Sequence, residues 1–242
     1  MIDLDALGDE LLVIAAEHEV LSADEAAWQA GDGAARYRMA TRVALRLLLA
    51  GAGAKRPFGQ ALRRTAGGKP ELAPGEPAFS VSHAGHYALI VVAPGGAVGG
   101  DLETDRAVLI TGARRALMLA AGDVLTAGAV AELDDNTRLL AGWTCIEAVA
   151  KALGSGVGRV LTEIGITAGG ARALTPAQIA DRTRALVAAA RLQIVRLPMP
   201  ADLHAAVAAS DAGTIDPAVG GLDSAACLHL LRIGLAMPEQ RR

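Results

Sequence analysis

Three short strand-like runs, 79–83, 87–93 and 98–103, follow one another with only a few residues between them, and the gaps carry Gly85 and Pro94-Gly95-Gly96. Strands joined this closely run antiparallel, because a parallel return needs a crossover of about a dozen residues or more. The spacing predicts an antiparallel meander. Ahead of it lies an apolar segment, Leu11 to Ala16, and a capping-box pattern, Ser22-Ala-Asp-Glu25, that starts a short helix. A longer helix is predicted over 34–50, where Arg36, Arg38, Arg42 and Arg46 interleave with Met39, Val43, Leu47 and Leu48 at helical spacing.

The second half repeats this order loosely. Helical stretches are predicted near 112–121 and 136–153, then strands near 160–167, 192–197 and 203–209. Residues 173–190 read as a further helix beginning at Thr175-Pro176, since proline fits a first helical turn. Helix then strands, twice, predicts an α+β fold of two similar lobes related by a pseudo-twofold, each a small, mainly antiparallel sheet packed with helices. The lobes are expected at 1–103 and 104–210. A tail at 211–242, with no role assigned, includes a candidate terminal helix at 225–237.

A chain of 242 residues can bury a core without staples, and Cys145 and Cys227 match no paired zinc or redox spacing. Such cysteine usage fits a reducing compartment. The hydrophobic content of 52% is inflated by alanine, and no apolar run reaches about 18 residues unbroken by Gly, Pro or charge, which argues against a membrane protein. The acidic start, Met1 to Glu10, is unlike a secretory signal, so a cytoplasmic protein is expected. A net charge of −3, dispersed basic residues and 2% aromatics argue against nucleic acid as a partner. A monomer is expected.

Asp101 and Glu103 stand two apart on a predicted strand and so share a face, with Gly99 and Gly100 before them leaving room for a ligand. Paired carboxylates attract a hard cation, and magnesium usually takes only one or two from the protein, with phosphate and water completing its shell. Trp143, Glu147 and Lys151 form one stripe at i, i+4 and i+8 of a helix. As a surface ion pair Glu147 and Lys151 contribute only about 0.3–0.5 kcal/mol. Their neighbours Ile146, Ala148, Val149, Ala150 and Leu153 are all apolar, however, which leaves this pair almost no solvated face.

Ser82 and His83 make a poor nucleophilic pair, because adjacent strand residues point to opposite faces and no nucleophile elbow surrounds them. With Lys69 and an arginine of the first long helix they fit better around a phosphate dianion, as charge-assisted donors.

The order Gly68-Lys69-Pro70, Phe79-Ser-Val-Ser-His83, Val98-Gly-Gly-Asp-Leu-Glu103 and Trp143-(3)-Glu147-Ala-(2)-Lys151 resembles the 4'-phosphopantetheinyl transferase superfamily, in its single-chain, two-lobe surfactin-synthetase type. The resemblance covers about residues 20 to 210. It implies transfer of the phosphopantetheine arm of coenzyme A to a serine of an apo acyl or peptidyl carrier protein, releasing adenosine 3',5'-bisphosphate. By position, it implies magnesium on Asp101, Glu103 and Glu147, and Lys151 neutralising a transition-state phosphate oxygen. Ser82 and His83 with Arg38 and Arg46 would hold the 3'-phosphate, and Lys69 with Pro70 would line the nucleotide site. Glu147, or a water it orients, would take the serine proton.

Two positions depart from the family. Ile146 stands where a lysine usually precedes the helical Glu, which would alter contact with substrate. An acid expected about twenty residues after the metal strand has no counterpart nearer than Asp123. These departures leave open a catalytically weak coenzyme A-binding module, and the same carboxylates leave open a metal-dependent phosphohydrolase. Arg114, Arg115 and Arg159 are scattered candidates for docking an acidic carrier helix.

Overall fold

A computed structural model of the chain describes residues 1–26, 33–59, 61–110, 112–167 and 174–210. The fold is α+β, with small antiparallel sheets packed against helices. Helix α1 (Leu4–Glu17) is capped by Asp3, whose carboxylate accepts from the amides of Asp5 and Ala6. It packs on α3 (Gly33–Gly51), and Leu7, Leu11 and Ile14 meet Val43, Ala44 and Leu47 in one core cluster. Between them, α2 (Ala23–Ala26) starts at the expected capping box, with Glu25 accepting from the Ser22 amide at 3.0 Å.

Strands β4 (Ala78–Ala84) and β5 (Tyr87–Ala93) form the expected hairpin, turning at Gly85, whose φ of +57° suits glycine. The edge strand β1 (Ile2–Asp3) joins β5, and a separate two-stranded ribbon pairs β2 (Arg63–Arg64) with β3 (Pro70–Glu71).

The expected meander stops at that hairpin. Strand β6 (Val98–Thr104) pairs instead with β8 (Leu203–Ser210), from Val98 opposite Ala209 to Thr104 opposite Leu203, and β7 (Leu192–Arg196) lies on the far side of β8. Strand β8 is buried along its whole length, so its alanine- and valine-rich sequence suits a central position. A side chain, not a ladder, ties β6 to β4: the Ser80 hydroxyl accepts from the Gly100 amide at 3.0 Å. The strand assigned to the first lobe is therefore hydrogen-bonded into the sheet of the later strands.

Helices α4 (Gly112–Leu125), α5 (Asp135–Ala152) and α7 (Pro176–Ala189) form where the sequence pattern placed them, α7 behind a Thr175–Gln178 capping box. The strand expected at 160–167 is instead helix α6 (Val157–Ile164). Val157, Val160, Leu161 and Ile164 have helical periodicity, and Gly165 ends the helix at a φ of +96°. The β-branched composition suggested a strand; period and cap decided otherwise.

Helix α5 positions the site. From Leu139 to Ala152 every residue is buried except Trp143, Glu147 and Lys151. An all-round apolar helix belongs in the interior, and α5 lies there between α4 and the β6–β8 sheet. Gly122 and Gly142 bring α4 and α5 so close that a Cβ at Gly142 would meet the Gly122 Cα at 2.7 Å. No described helix is long and apolar enough to cross a membrane. The tail, with Cys227 and the expected helix at 225–237, lies outside the described residues.

Candidate functional site

The two distant stretches meet face to face. Strand β6 points Asp101 and Glu103 toward α5, and the α5 stripe points Lys151, Glu147 and Trp143 back. Lys151 Nζ lies 2.7 Å from Asp101 Oδ1 and 2.9 Å from Ser82 Oγ, and Ser82 Oγ donates to Asp101 Oδ1 at 2.8 Å, closing a triangle. Asp101 is 3% exposed, and its other oxygen, Oδ2, is buried without a hydrogen-bond partner among the described residues.

Glycine makes this approach possible. A Cβ at Gly99 would lie 2.0 Å from the Ala148 carbonyl oxygen and 2.4 Å from the Ala152 amide, both α5 backbone. Only glycine lets β6 sit this near the helix.

The second carboxylate is held from two sides: Trp143 Nε1 donates to Glu103 Oε1 at 3.2 Å, and Arg106 reaches Oε2 at 3.4 Å. Glu147 is half-buried, and its pKa is raised above the ordinary carboxylate value by loss of water and then by the Asp101 charge, with Lys151 opposing and Glu103 adding. Three carboxylates thus feel one another. The described residues contain no ready-made cluster of three or more His, Cys, Asp or Glu side chains around a metal position. The donor set nevertheless suits a hard cation, being all oxygen with one buried carboxylate oxygen unpartnered among the described residues.

Strand alternation separates Ser82 from His83 as expected. Ser82 joins the triangle, whereas His83 Nε2 lies 2.9 Å from Thr41 Oγ1 on α3. The His83 pKa is lowered, first by displaced water and then by the positive charges of Arg42, Lys151 and Arg38. Arg38 is therefore on the His83 side of the molecule, in electrostatic range.

Arg46 is not. It is completely buried, donating to Glu25 Oε2 at 2.9 Å and to the Pro57 carbonyl at 3.0 Å, so it serves the core and cannot reach a ligand. One helical turn earlier on α3, Arg42 is placed differently. It lies 3.6 Å from Glu25 Oε1 and within reach of the His83 charge, with Nη1 buried and without a hydrogen-bond partner among the described residues.

Lys69 Nζ donates to the Val98 carbonyl at 2.5 Å, which sets it beside the start of β6. Its pKa is pushed down to about 8, mainly by burial, with Glu71 opposing and Lys151 adding. Lys69 lines a cleft of about 520 Å³ together with Thr65, Glu71, Phe79 and Gly154. Pro70 is in the short β3 strand opposite Arg64 and is not among the lining residues.

The departures also find their places. Ile146 is completely buried in the core between α4 and α5, so its side chain serves packing. Asp123 is committed to Arg138, at 2.8 Å. Arg114 and Arg159 are exposed, on α4 and α6, while Arg115 pairs with Asp135 at 3.4 Å.

Three relationships were not anticipated from sequence: the nearness of Arg42 to His83, the Trp143–Glu103 bond, and the Thr41–His83 contact. Two had a trace in the pattern, since Arg42 is four residues from Arg38 and Trp143 four before Glu147, whereas the Thr41–His83 contact had none. Neither family models nor curated proteins give a match to this chain.

Proposed function

We propose that this chain is a magnesium-dependent 4'-phosphopantetheinyl transferase, which moves the arm of coenzyme A to a serine of an apo acyl or peptidyl carrier protein in the cytoplasm. The observation that carries the reading is the Lys151–Asp101 contact at 2.7 Å, which joins two motifs fifty residues apart around one buried carboxylate.

Asp101, Glu103 and Glu147 are the residues that would hold magnesium, whose charge would offset that of the pyrophosphate. Around them the chain supplies cations on two sides. Lys151 and Lys69 stand by β6, and Arg42 and Arg38 stand on α3 within electrostatic range of the His83 imidazole on β4. Phosphoryl transfer depends mainly on positioning and charge neutralisation, and this distribution suits a pyrophosphate near Asp101 with a further phosphate near His83. Arg42 takes the place first given to Arg46.

In the reaction, the carrier serine oxygen bonds to the phosphorus that bears the pantetheine, and the bond to adenosine 3',5'-bisphosphate breaks. Glu147, or a water it orients, accepts the serine proton. Lys151 offsets the charge growing on the transferred phosphoryl group.

Product analysis tests the reading. Incubation with coenzyme A and magnesium is expected to release adenosine 3',5'-bisphosphate only when an apo carrier is present. Carrier-independent release would mark a phosphohydrolase, and coenzyme A binding without release a non-catalytic module; either result overturns the proposal.

A further inference from the structure

We propose that Ser82 is a positioning residue for Asp101, aiming its free oxygen at the cation, and not a ligand of the coenzyme A phosphates; this rests on the metal site proposed above. The Ser82 hydroxyl has one proton, and it goes to Asp101 Oδ1 at 2.8 Å. The lone pairs that remain accept from Lys151 Nζ at 2.9 Å. Ser82 is itself buried, at 8% exposure, so no third partner approaches easily.

The consequence is an asymmetric carboxylate. Oδ1 receives two donors, Ser82 and Lys151, while Oδ2 is buried and receives none from the described residues. An unpartnered buried oxygen is costly, and rotation of the carboxylate to share both oxygens with the ammonium would relieve it. Ser82 opposes that rotation by holding Oδ1. Ser80, two residues earlier on the same face of β4, holds β6 through the Gly100 amide at 3.0 Å. The two serines therefore clamp backbone and side chain of the strand that carries Asp101.

Ser82 supplies neither charge nor a metal bond in this role, so its removal is expected to act on cation affinity alone. The probe is Mn2+, titrated into the full chain with coenzyme A present and followed by the resonance signal of the free ion. Coenzyme A affinity is measured separately in metal-free buffer. Ser82→Ala is expected to weaken Mn2+ about tenfold, the usual scale for losing a group that orients a metal ligand. Ser82→Thr, which keeps the hydroxyl, is expected to restore binding to within about threefold on the same scale. Metal-free coenzyme A affinity should stay unchanged.

Wild-type Mn2+ affinity in Ser82→Ala, beside a loss in Asp101→Asn, would overturn the positioning role and leave the metal site standing. A matching loss of metal-free coenzyme A affinity in Ser82→Ala would also overturn it, by making Ser82 a phosphate ligand. Unchanged Mn2+ binding in Asp101→Asn would overturn the metal site itself, and this inference with it. Should Ser82→Ala fail to fold, Ser82→Cys, of similar size and with a weak donor, is judged by the same outcomes.

Discussion

Trp143 Nε1 donates to Glu103 Oε1 at 3.2 Å, so the helix that carries Glu147 and Lys151 also holds the outer carboxylate of the strand. Trp143→Phe keeps most of the apolar bulk and removes the donor. Loss of one hydrogen bond to a charged group sets the expected destabilisation at about 1.5–3 kcal/mol. Activity should fall further than stability, because Glu103 is left to Arg106 alone. Urea denaturation beside the transfer rate checks this; a variant with full activity would remove Glu103 orientation from the account.

Gly99 fixes the distance between β6 and α5. Gly99→Ala would press its methyl group against α5 backbone at 2.0 and 2.4 Å, where no flexible side chain can yield. Overpacking of this kind costs about 1–3 kcal/mol, and the strand is expected to move away from Lys151. At Gly100 the nearest atom is Val91 Cγ2 at 2.6 Å, a side-chain methyl. Gly100→Ala should therefore cost less in thermal melts, and the reverse order would contradict the close-approach argument.

Arg42 and Arg46 should separate cleanly. Arg46→Met breaks a fully buried pair with Glu25 and is expected to cost about 3–5 kcal/mol. Coenzyme A affinity of the folded fraction should be retained. Arg42→Met is expected to weaken coenzyme A about tenfold or more, the scale of a lost charge-assisted contact. Calorimetry with both variants decides, and equal affinity loss in Arg46→Met would return that residue to the site.

His83 carries a sign that pH can test. Its folded-state pKa lies below the ordinary value of 6.5, so the unfolded chain binds the proton more readily. The stability it contributes is present above pH 6.5 and lost as pH falls through the lowered folded-state value. His83→Gln should flatten that part of the stability curve. Adenosine 3',5'-bisphosphate should raise the His83 pKa by placing negative charge beside it, seen as a shifted imidazole titration in NMR. An unmoved titration with nucleotide bound would take the phosphate away from His83.

What could be read in the sequence followed local periods. The shared face of Asp101 and Glu103 comes from the strand repeat, and the stripe of Trp143, Glu147 and Lys151 from the helical one. The partner of β6 could not be read in this way, because β8 lies a hundred residues on and the nearer β5 already offered a short connection. For α6, Val157, Val160 and Ile164 favour strands by shape, and only their spacing and the flanking glycines favour a helix. Arg42 and Arg46 lie one turn apart on α3; Glu25, from another element, decides which is buried.

The intact mass of an apo carrier protein after incubation with this chain, coenzyme A and magnesium decides between transfer and mere binding. A gain of one phosphopantetheine arm on the carrier serine is expected, abolished by Asp101→Asn. An unchanged mass across fatty-acid, polyketide and nonribosomal-peptide carriers, with the chain folded and coenzyme A bound, would contradict transfer.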